Sequence, residues 1–223
     1  MQQRKSKKIL IYFFLLILVG SINNINFNNL KLEKINHITV TGLRTTDNMI
    51  LLEKIKNLNL DNIFLINKIK ISNEIISNSL IERYFIFKIY PSKIHIKIDQ
   101  TKFLARINTN GKKFLIGSNG KLTENNFLDI QLPYIFGNPE IEEFLRFKEI
   151  IDQTKISYDE IKNLYFFPSK RWDLEFKNGI IIKLSNNYIK ESLELSLEFL
   201  YGNKIKDVKI IDARIKNQII LND

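Results

Sequence analysis

The chain opens with its longest unbroken run of apolar side chains. This run, ILIYFFLLILV at residues 9–19, follows a basic flank, a combination typical of an export signal or a membrane anchor. The run is shorter than the roughly 20 residues of a typical span, but no clean small-residue cleavage site follows it. We therefore predict a single uncleaved transmembrane helix over residues 9–27, after a cytoplasmic tail of residues 1–8. A cleaved signal and a buried soluble helix are the alternatives.

The hydrophobic pattern after this segment changes between a period of two and a helical period. Alternation in INHITVT and KIHIKIDQ indicates strands with one apolar face. The predicted order is β-α-α-β-β, with both helices on one face of a three-stranded sheet. The strands are expected at 35–41, 81–90 and 93–100, and the helices at 49–58, capped by Thr45, Thr46 or Asp47, and at a shorter segment capped by Ser72.

Short strands separated by Asn-Gly turns dominate the second half of the chain. Strands are predicted at 103–107, 112–117, 120–122, 132–137, 161–167, 171–176, 179–184, 208–215 and 218–221, and helices at 140–153, capped by Asn138, and 188–201. The overall class is therefore α+β, with a mixed β domain that carries two helices. Because the chain ends on a strand, the C-terminal edge of its sheet is expected to be open to pairing.

Composition and charge reduce the number of function classes that fit the chain. Hydrophobic residues make up 44% of the chain, enough for a core, and the absence of Cys excludes disulfides, thiolate metal sites and a cysteine nucleophile. Lys and Arg number 34 against 24 Asp and Glu, which gives a net charge of +10. Part of that excess lies in the N-terminal flank, and export conflicts with nucleic-acid binding, so we expect no nucleic-acid partner.

No catalytic constellation is recognisable in the sequence. His37 and His95 occupy polar positions of alternating strands, and the Glu191, Glu194 and Glu198 spacing fits a solvated helix face. We predict no enzyme activity, no catalytic residues, no metal and no cofactor.

Two features near the C-terminus are open to two interpretations. Trp172, the only Trp, fits core packing or an exposed interface anchor. Asp212 and Arg214 lie two apart on a strand and fit a surface ion pair or a charged contact for a partner.

The order of six short motifs resembles the FtsQ/DivIB family of bacterial cell-division proteins. The motifs are Ile38–Gly42 with Thr46, Tyr90-Pro91-Ser92 with Ile94–Asp99, Lys112–Leu122, Leu132-Pro133 with Gly137, Arg171–Leu174 with Asn178-Gly179 and Lys183-Leu184, and Ile211–Arg214. The resemblance implies a POTRA domain over residues 33–101 and an FtsQ-type β domain over residues 102–223.

The resemblance also implies a function. Such proteins are non-enzymatic scaffolds of the divisome, single-pass type II in the bacterial inner membrane, with the bulk of the chain periplasmic and located at the division site. Their POTRA domain is associated with recruitment to midcell, and the last strands of the β domain bind FtsB, paired with FtsL, by strand addition. Transferred onto this sequence, the partner site comprises Arg171, Trp172, Arg214, Ile215, Gln218, Ile219, Ile220 and Leu221.

A different POTRA-bearing protein is the main alternative. Components of envelope protein export or assembly also carry such domains, but they continue into a membrane barrel of eight or more long strands. The predicted helices at 140–153 and 188–201 do not fit such a barrel.

Overall fold

The structure, a computed structural model, describes residues 4–22, 33–124, 131–202 and 208–222. Its helices are α1 (Arg4–Ile22), α2 (Thr45–Lys56), α3 (Lys68–Ile76), α4 (Ile141–Asp152) and α5 (Ile189–Gly202). Its strands are β1 (His37–Thr41), β2 (Ile81–Ile89), β3 (Lys93–Gln100), β4 (Phe103–Thr109), β5 (Lys112–Gly117), β6 (Leu122–Glu124), β7 (Tyr134–Phe136), β8 (Ile161–Phe166), β9 (Trp172–Phe176), β10 (Ile181–Leu184), β11 (Ile210–Ala213) and β12 (Ile220–Asn222).

Helix α1 carries the N-terminal apolar run and exposes it. Every side chain from Ile9 to Val19 is at least half exposed, so the buried-helix alternative does not describe the run. Among the described helices, α1 included, none combines the length and apolarity that crossing a bilayer requires. Residues 23–27 of the predicted anchor lie outside the described residues, and the anchor stays a prediction.

The first folded unit confirms the predicted β-α-α-β-β order. Its sheet has the strand order β1-β3-β2, with β1 parallel and β2 antiparallel to β3. Helices α2 and α3 cover one face, because their apolar stripes and the inward positions of β3 form one buried cluster. Its members are Leu51, Ile55, Ile71, Ile75, Ile81, Ile94, Ile96 and Ile98.

The helix caps differ from the predicted ones. Asn67 caps α3, since its side-chain oxygen accepts hydrogen bonds from the backbone N–H of Ile69 and Lys70, whereas Ser72 lies inside the helix. Thr45–Asp47 form the first turn of α2, and Asn48 holds the preceding turn instead. Helix α4 likewise begins after Glu140 without a side-chain cap, so Asn138 is not its cap. Several polar residues near each helix start could act as the N-cap, and the path of the preceding loop determines which of them does.

The second unit is one mixed sheet with two helices on one face. In the described residues the strand order is β12-β11-β10-β9-β8-β7-β4-β5-β6. Trp172 lies at the centre of the core: its ring stacks on Phe147 at a centroid distance of 4.5 Å and contacts Phe144 and Phe166. Helix α5 connects β10 to the parallel strand β11, and Leu193 and Leu197 bury its apolar face in the same core. This crossover places β11, and therefore β12, at the end of the sheet.

Polar contacts join the two units. The side chain of Asn119 donates to the backbone oxygens of Ser79 and Ile81, at 2.9 Å each. Ser118 donates to the Glu82 carboxylate at 2.7 Å. The turn after β5 is thereby attached to the start of β2, because backbone acceptors at a strand end have no ladder partner of their own.

Gly137 directly follows β7 and lies close to the backbone at the end of β8. Its φ is +99°, and a Cβ added there would lie 2.2 Å from the carbonyl oxygen of Phe166. Gly179 has a similar φ of +89° but no atom within 4 Å of an added Cβ. Comparing an alanine substitution at each of the two glycines therefore separates the cost of backbone strain from the cost of a steric clash.

We expect Gly137→Ala to destabilise the fold more than Gly179→Ala. The strained backbone costs roughly 1–3 kcal/mol at either site, and the clash at Gly137 adds roughly 1–3 kcal/mol. Urea unfolding monitored by the fluorescence of Trp172 measures both. Equal destabilisation by the two variants would contradict the close approach at Gly137.

Candidate protein-interaction site

The C-terminal strand β12 forms one edge of the larger sheet. It pairs antiparallel with β11, and in the described part of the chain no strand lies on its other side. The structure confirms the expected open edge, but the strand begins and ends later than predicted. Gln218 and Ile219 precede it, and Asn222 belongs to it. A turn closed by a hydrogen bond from the Gln218 N–H to the Ile215 carbonyl leads into the strand.

Strand β12 presents an apolar side chain on each face of the sheet. Ile220 lies opposite Asp212 on the face away from the helices and is 48% exposed. Leu221 lies opposite Ile211 on the core side and is 36% exposed. Ile215, in the loop before the strand, is 53% exposed. The edge thus combines unpaired backbone groups with exposed apolar side chains, the features that a strand-adding partner uses.

A row of charges crosses the neighbouring strands on the outer face, and we call it the charge row. Asp173 of β9, Lys183 of β10 and Asp212 of β11 stand side by side in register. Arg171 Nε donates to Asp173 Oδ1 at 3.1 Å. Arg214 donates two hydrogen bonds to the Asp212 carboxylate, from Nε to Oδ1 at 2.8 Å and from Nη2 to Oδ2 at 2.5 Å. Lys183 therefore lies between the two carboxylates, and each carboxylate also pairs with an Arg.

The two carboxyls of the charge row titrate differently. Burial raises the pKa of Asp173, although Arg171 and Lys183 oppose the rise. The hydrogen bonds from Arg214 hold the pKa of Asp212 below its ordinary value. Asp212 is therefore ionised at neutral pH and holds the Arg214 guanidinium in one place.

The structure brings together only part of the predicted partner site. Arg214, Ile215 and the 218–221 segment lie together at the β11–β12 edge. Arg171 immediately precedes β9, which is two strands from β11, and its guanidinium lies over the Phe167 ring at 4.2 Å. The Trp172 side chain is 1% exposed and faces the core. The structure therefore supports the core-packing interpretation of Trp172, and its indole is not available to a partner at the surface of this fold.

An acidic groove adjoins the edge. It has a volume of about 220 Å³ and lies between α5 and the loop after β11, lined by Tyr188, Glu191, Glu194, Glu198, Ile215 and Lys216, among others. The three glutamates are exposed, as the sequence predicts. Their place beside Ile215 was not predictable from helical spacing, because it depends on the parallel return of β11.

A second polar group lies next to the charge row on the same face. Glu175 accepts hydrogen bonds from the Tyr165 hydroxyl at 2.6 Å, from Asn163 at 2.8 Å and from Lys162 at 2.9 Å. Chiefly through the bonds from Tyr165 and Asn163, these partners lower the pKa of Glu175 to about 2.

In the described ranges, no three His, Cys, Asp or Glu residues are grouped as a metal ion would require. The acidic residues near the edge are accounted for by ion pairs or by solvent. In the described residues, the edge at β12 thus combines open backbone groups, exposed Ile and Leu side chains and one oriented Arg.

Two family models together match most of the chain. The family model "POTRA domain, FtsQ-type" matches residues 33–99. The model "Cell division protein FtsQ/DivIB, C-terminal" matches residues 105–214. The chain belongs to the FtsQ/DivIB family of cell division proteins.

Individual relatives are named as cell division proteins of this family. The chain is 24% identical over 195 residues to the cell division protein FtsQ of Rickettsia bellii, covering 83% of this chain and 70% of the relative. It is 22% identical over 196 residues to the FtsQ of Rickettsia conorii, with the same coverage. Among solved structures, the major extracytoplasmic domain of DivIB from Geobacillus stearothermophilus aligns over 48% of this chain and 98% of that domain, with 11% identity and a TM-score of 0.34.

The hydrogen bonds of Glu175 predict an acid dependence of stability. A carboxyl whose pKa is lowered by folding stabilises the fold above its unfolded pKa, and this contribution disappears as the pH falls toward the folded value of about 2. We therefore expect Glu175→Gln to show a shallower loss of stability than wild type between about pH 5 and pH 2. Urea unfolding across this range measures the slope.

Glu124→Gln is the matched control. Glu124 is also a strand carboxylate, but it is 57% exposed and pairs only loosely with Lys112, at 3.6 Å. Its variant should retain the wild-type slope. If Glu175→Gln also retains it, the Tyr165 and Asn163 bonds do not stabilise the ionised form in solution.

Proposed function

We propose that this protein is a non-enzymatic scaffold of the divisome that binds the FtsB–FtsL pair through the open edge of β12. The observation that carries the proposal is this edge, with Ile220 and Leu221 exposed on opposite faces of the sheet. A partner segment adds a strand beside β12, pairs its backbone with the free N–H and C=O groups, and covers both side chains.

Arg214 supplies the polar part of this contact. Its guanidinium is engaged by Asp212 through Nε and Nη2, yet its side chain is still 47% exposed. A guanidinium held in place loses little freedom when a partner carboxylate or carbonyl approaches it. Arg214 therefore selects the register of the incoming strand, while Ile215 and Ile220 contribute apolar contact.

Arg171 and Trp172 support the site from within. Trp172 anchors β9 in the core through its stacking on Phe147. Arg171 neutralises Asp173, whose burial raises its pKa. Both residues maintain the sheet whose last strand is the binding edge.

The N-terminal segment and the POTRA domain position this edge in the cell. We infer that residues 9–27 anchor the chain in the inner membrane, with residues 1–8 in the cytoplasm and the folded units in the periplasm. The exposed apolar side chains of α1 support this inference, because such a contiguous surface is unfavourable in water. The POTRA domain, residues 33–101, contributes to recruitment to midcell.

Substitutions at the edge should abolish partner binding without unfolding the protein. We expect Arg214→Glu to reduce FtsB–FtsL co-purification about tenfold or more, because it reverses the charge that faces the partner. Ile220→Ser should also reduce recovery, because it removes an exposed apolar contact and adds no charge opposite Asp212. Quantitative pull-down from membranes measures both, and unchanged Trp172 fluorescence verifies folding.

Arg83→Glu provides the matched control. Arg83 is an exposed Arg paired with an Asp, at 3.0 Å from Asp99, but it lies in the POTRA domain. Its variant should bind the partners at wild-type level. Wild-type recovery with both Arg214→Glu and Ile220→Ser would refute strand addition at β12.

The cellular role can be tested by imaging. An N-terminal fluorescent fusion of the full chain should form a band at midcell that follows constriction. A fusion of residues 1–32 alone should label the envelope evenly, because it lacks both folded units. An even signal from a functional full-length fusion would contradict the divisome assignment and favour a role in envelope export or assembly.

A further inference from the structure

One end of the POTRA domain exposes an apolar surface that is separate from the β12 edge proposed to bind FtsB and FtsL. We call it the entry surface, because β1 and β3 begin there and β2 ends there. Its apolar side chains are at least about half exposed, and several are among the most exposed of the folded units. They are Phe64 at 59%, Leu65 at 73%, Ile69 at 71%, Ile89 at 49% and Tyr90 at 59%.

The loop that carries this surface is held in one conformation. The side-chain oxygen of Asn62 accepts hydrogen bonds from the backbone N–H of Phe64 and Leu65, at 3.1 and 3.0 Å. Lys88 Nζ donates to the carbonyl of Ile63 at 2.7 Å and attaches the loop to β2. The rings of Phe64 and Tyr90 contact each other, with centroids 5.3 Å apart. The apolar side chains are thus exposed by a built structure and not by a frayed end.

The entry surface lies where the chain from α1 enters the domain. Lys34 forms a β-bridge with Asn62, and the Ile35 N–H donates to the carbonyl of Asp61 at 3.0 Å. Ten residues, 23–32, separate the end of α1 from the first described residue of the domain. Even a fully extended segment of this length spans less than about 40 Å. Whatever contains α1 is therefore close to Phe64 and Leu65.

Basic side chains surround the apolar surface. Lys34, Lys68, Lys70 and Lys93 are exposed at this end of the domain, and Lys88 lies beneath the loop. The exposed acidic residues at the same end are Glu33 and Asp61. Apolar and aromatic side chains ringed by Lys are the combination that binds the headgroup region of an anionic bilayer.

We propose that the entry surface rests on the membrane, with Phe64, Leu65 and Tyr90 inserted among anionic phospholipid headgroups. This inference rests on the proposed anchor, which brings the bilayer within reach of the surface. Aromatic rings favour the membrane–water interface, and the Lys residues gain from the negative surface potential. The contact would orient the POTRA domain, and through the Asn119 bonds also the β domain, relative to the membrane.

Site-specific labelling of the full chain in vesicles tests this proposal. The chain contains no Cys, so single-Cys variants take an environment-sensitive nitrobenzoxadiazole dye at one position. The positions are Leu65→Cys on the entry surface, Met49→Cys, which is 60% exposed on α2, and Leu15→Cys in α1. Vesicles consist of phosphatidylcholine alone or mixed with phosphatidylglycerol, each with and without lipids carrying a quencher at a defined depth.

Support would be a blue-shifted emission and headgroup-level quenching at residue 65, several times greater than at residue 49 and stronger with phosphatidylglycerol. The double variant Lys34→Gln and Lys93→Gln should reduce the quenching several-fold. The control pair Lys97→Gln, within β3, and Lys102→Gln, beyond the far end of β3, should leave it unchanged.

Three other results would overturn the proposal. If residues 65 and 49 behave alike while residue 15 is quenched deep in the bilayer, the anchor is right and the entry surface does not touch lipid. If residue 15 itself stays in water, the anchor is wrong and the inference falls with it. If residue 65 leaves water only after purified division proteins are added, its occupant is a protein.

Discussion

The position of the open edge at β12 depends on two buried carboxylates. Asp173 is 4% exposed and Asp212 is 8% exposed, and an ionised carboxylate at such a site is tolerated only with paired cations. Lys183 stands between them in register, and Arg171 and Arg214 close the row. A slip of β10 or β11 by one residue would turn a charged side chain into the apolar core. The charge row therefore fixes the register of three strands.

This register determines what the last strand offers. Asp212 is aligned with Ile220, and Ile211 with Leu221, so the register of β11 decides which side chain of β12 lies on which face. The bonds between Arg214 and Asp212 also hold the chain where it leaves β11 and turns back. The geometry of the edge thus follows from electrostatics on one face and packing of α5 on the other.

The sequence predicted the local structure better than the long-range pairing. Alternation in KIHIKIDQ and the helix-period residues of α2 and α5 were sufficient for element type and for the β-α-α-β-β order. Caps were wrong because several Ser, Thr and Asn residues compete near each helix start, and only the loop path selects Asn67 over Ser72. The parallel insertion of β7 between β4 and β8 has no local signal, since each pairing joins distant segments. For the same reason the sequence could not place Arg171 next to β9, two strands from β11, or the α5 glutamates beside Ile215.

The short length of β12 limits what backbone pairing can contribute to binding. Three residues, Ile220–Asn222, provide few unpaired groups, and each hydrogen bond gained adds only about 0.5–1.5 kcal/mol net. Short edge strands with charges nearby also avoid unspecific pairing. Under the proposed function, partner binding would therefore draw on side chains around the strand: the held Arg214, the exposed Ile215 and the acidic groove of α5. A partner that places a basic residue over Glu191 and Glu194 while its strand pairs with β12 would use both surfaces at once, and a partner lacking either feature would bind weakly.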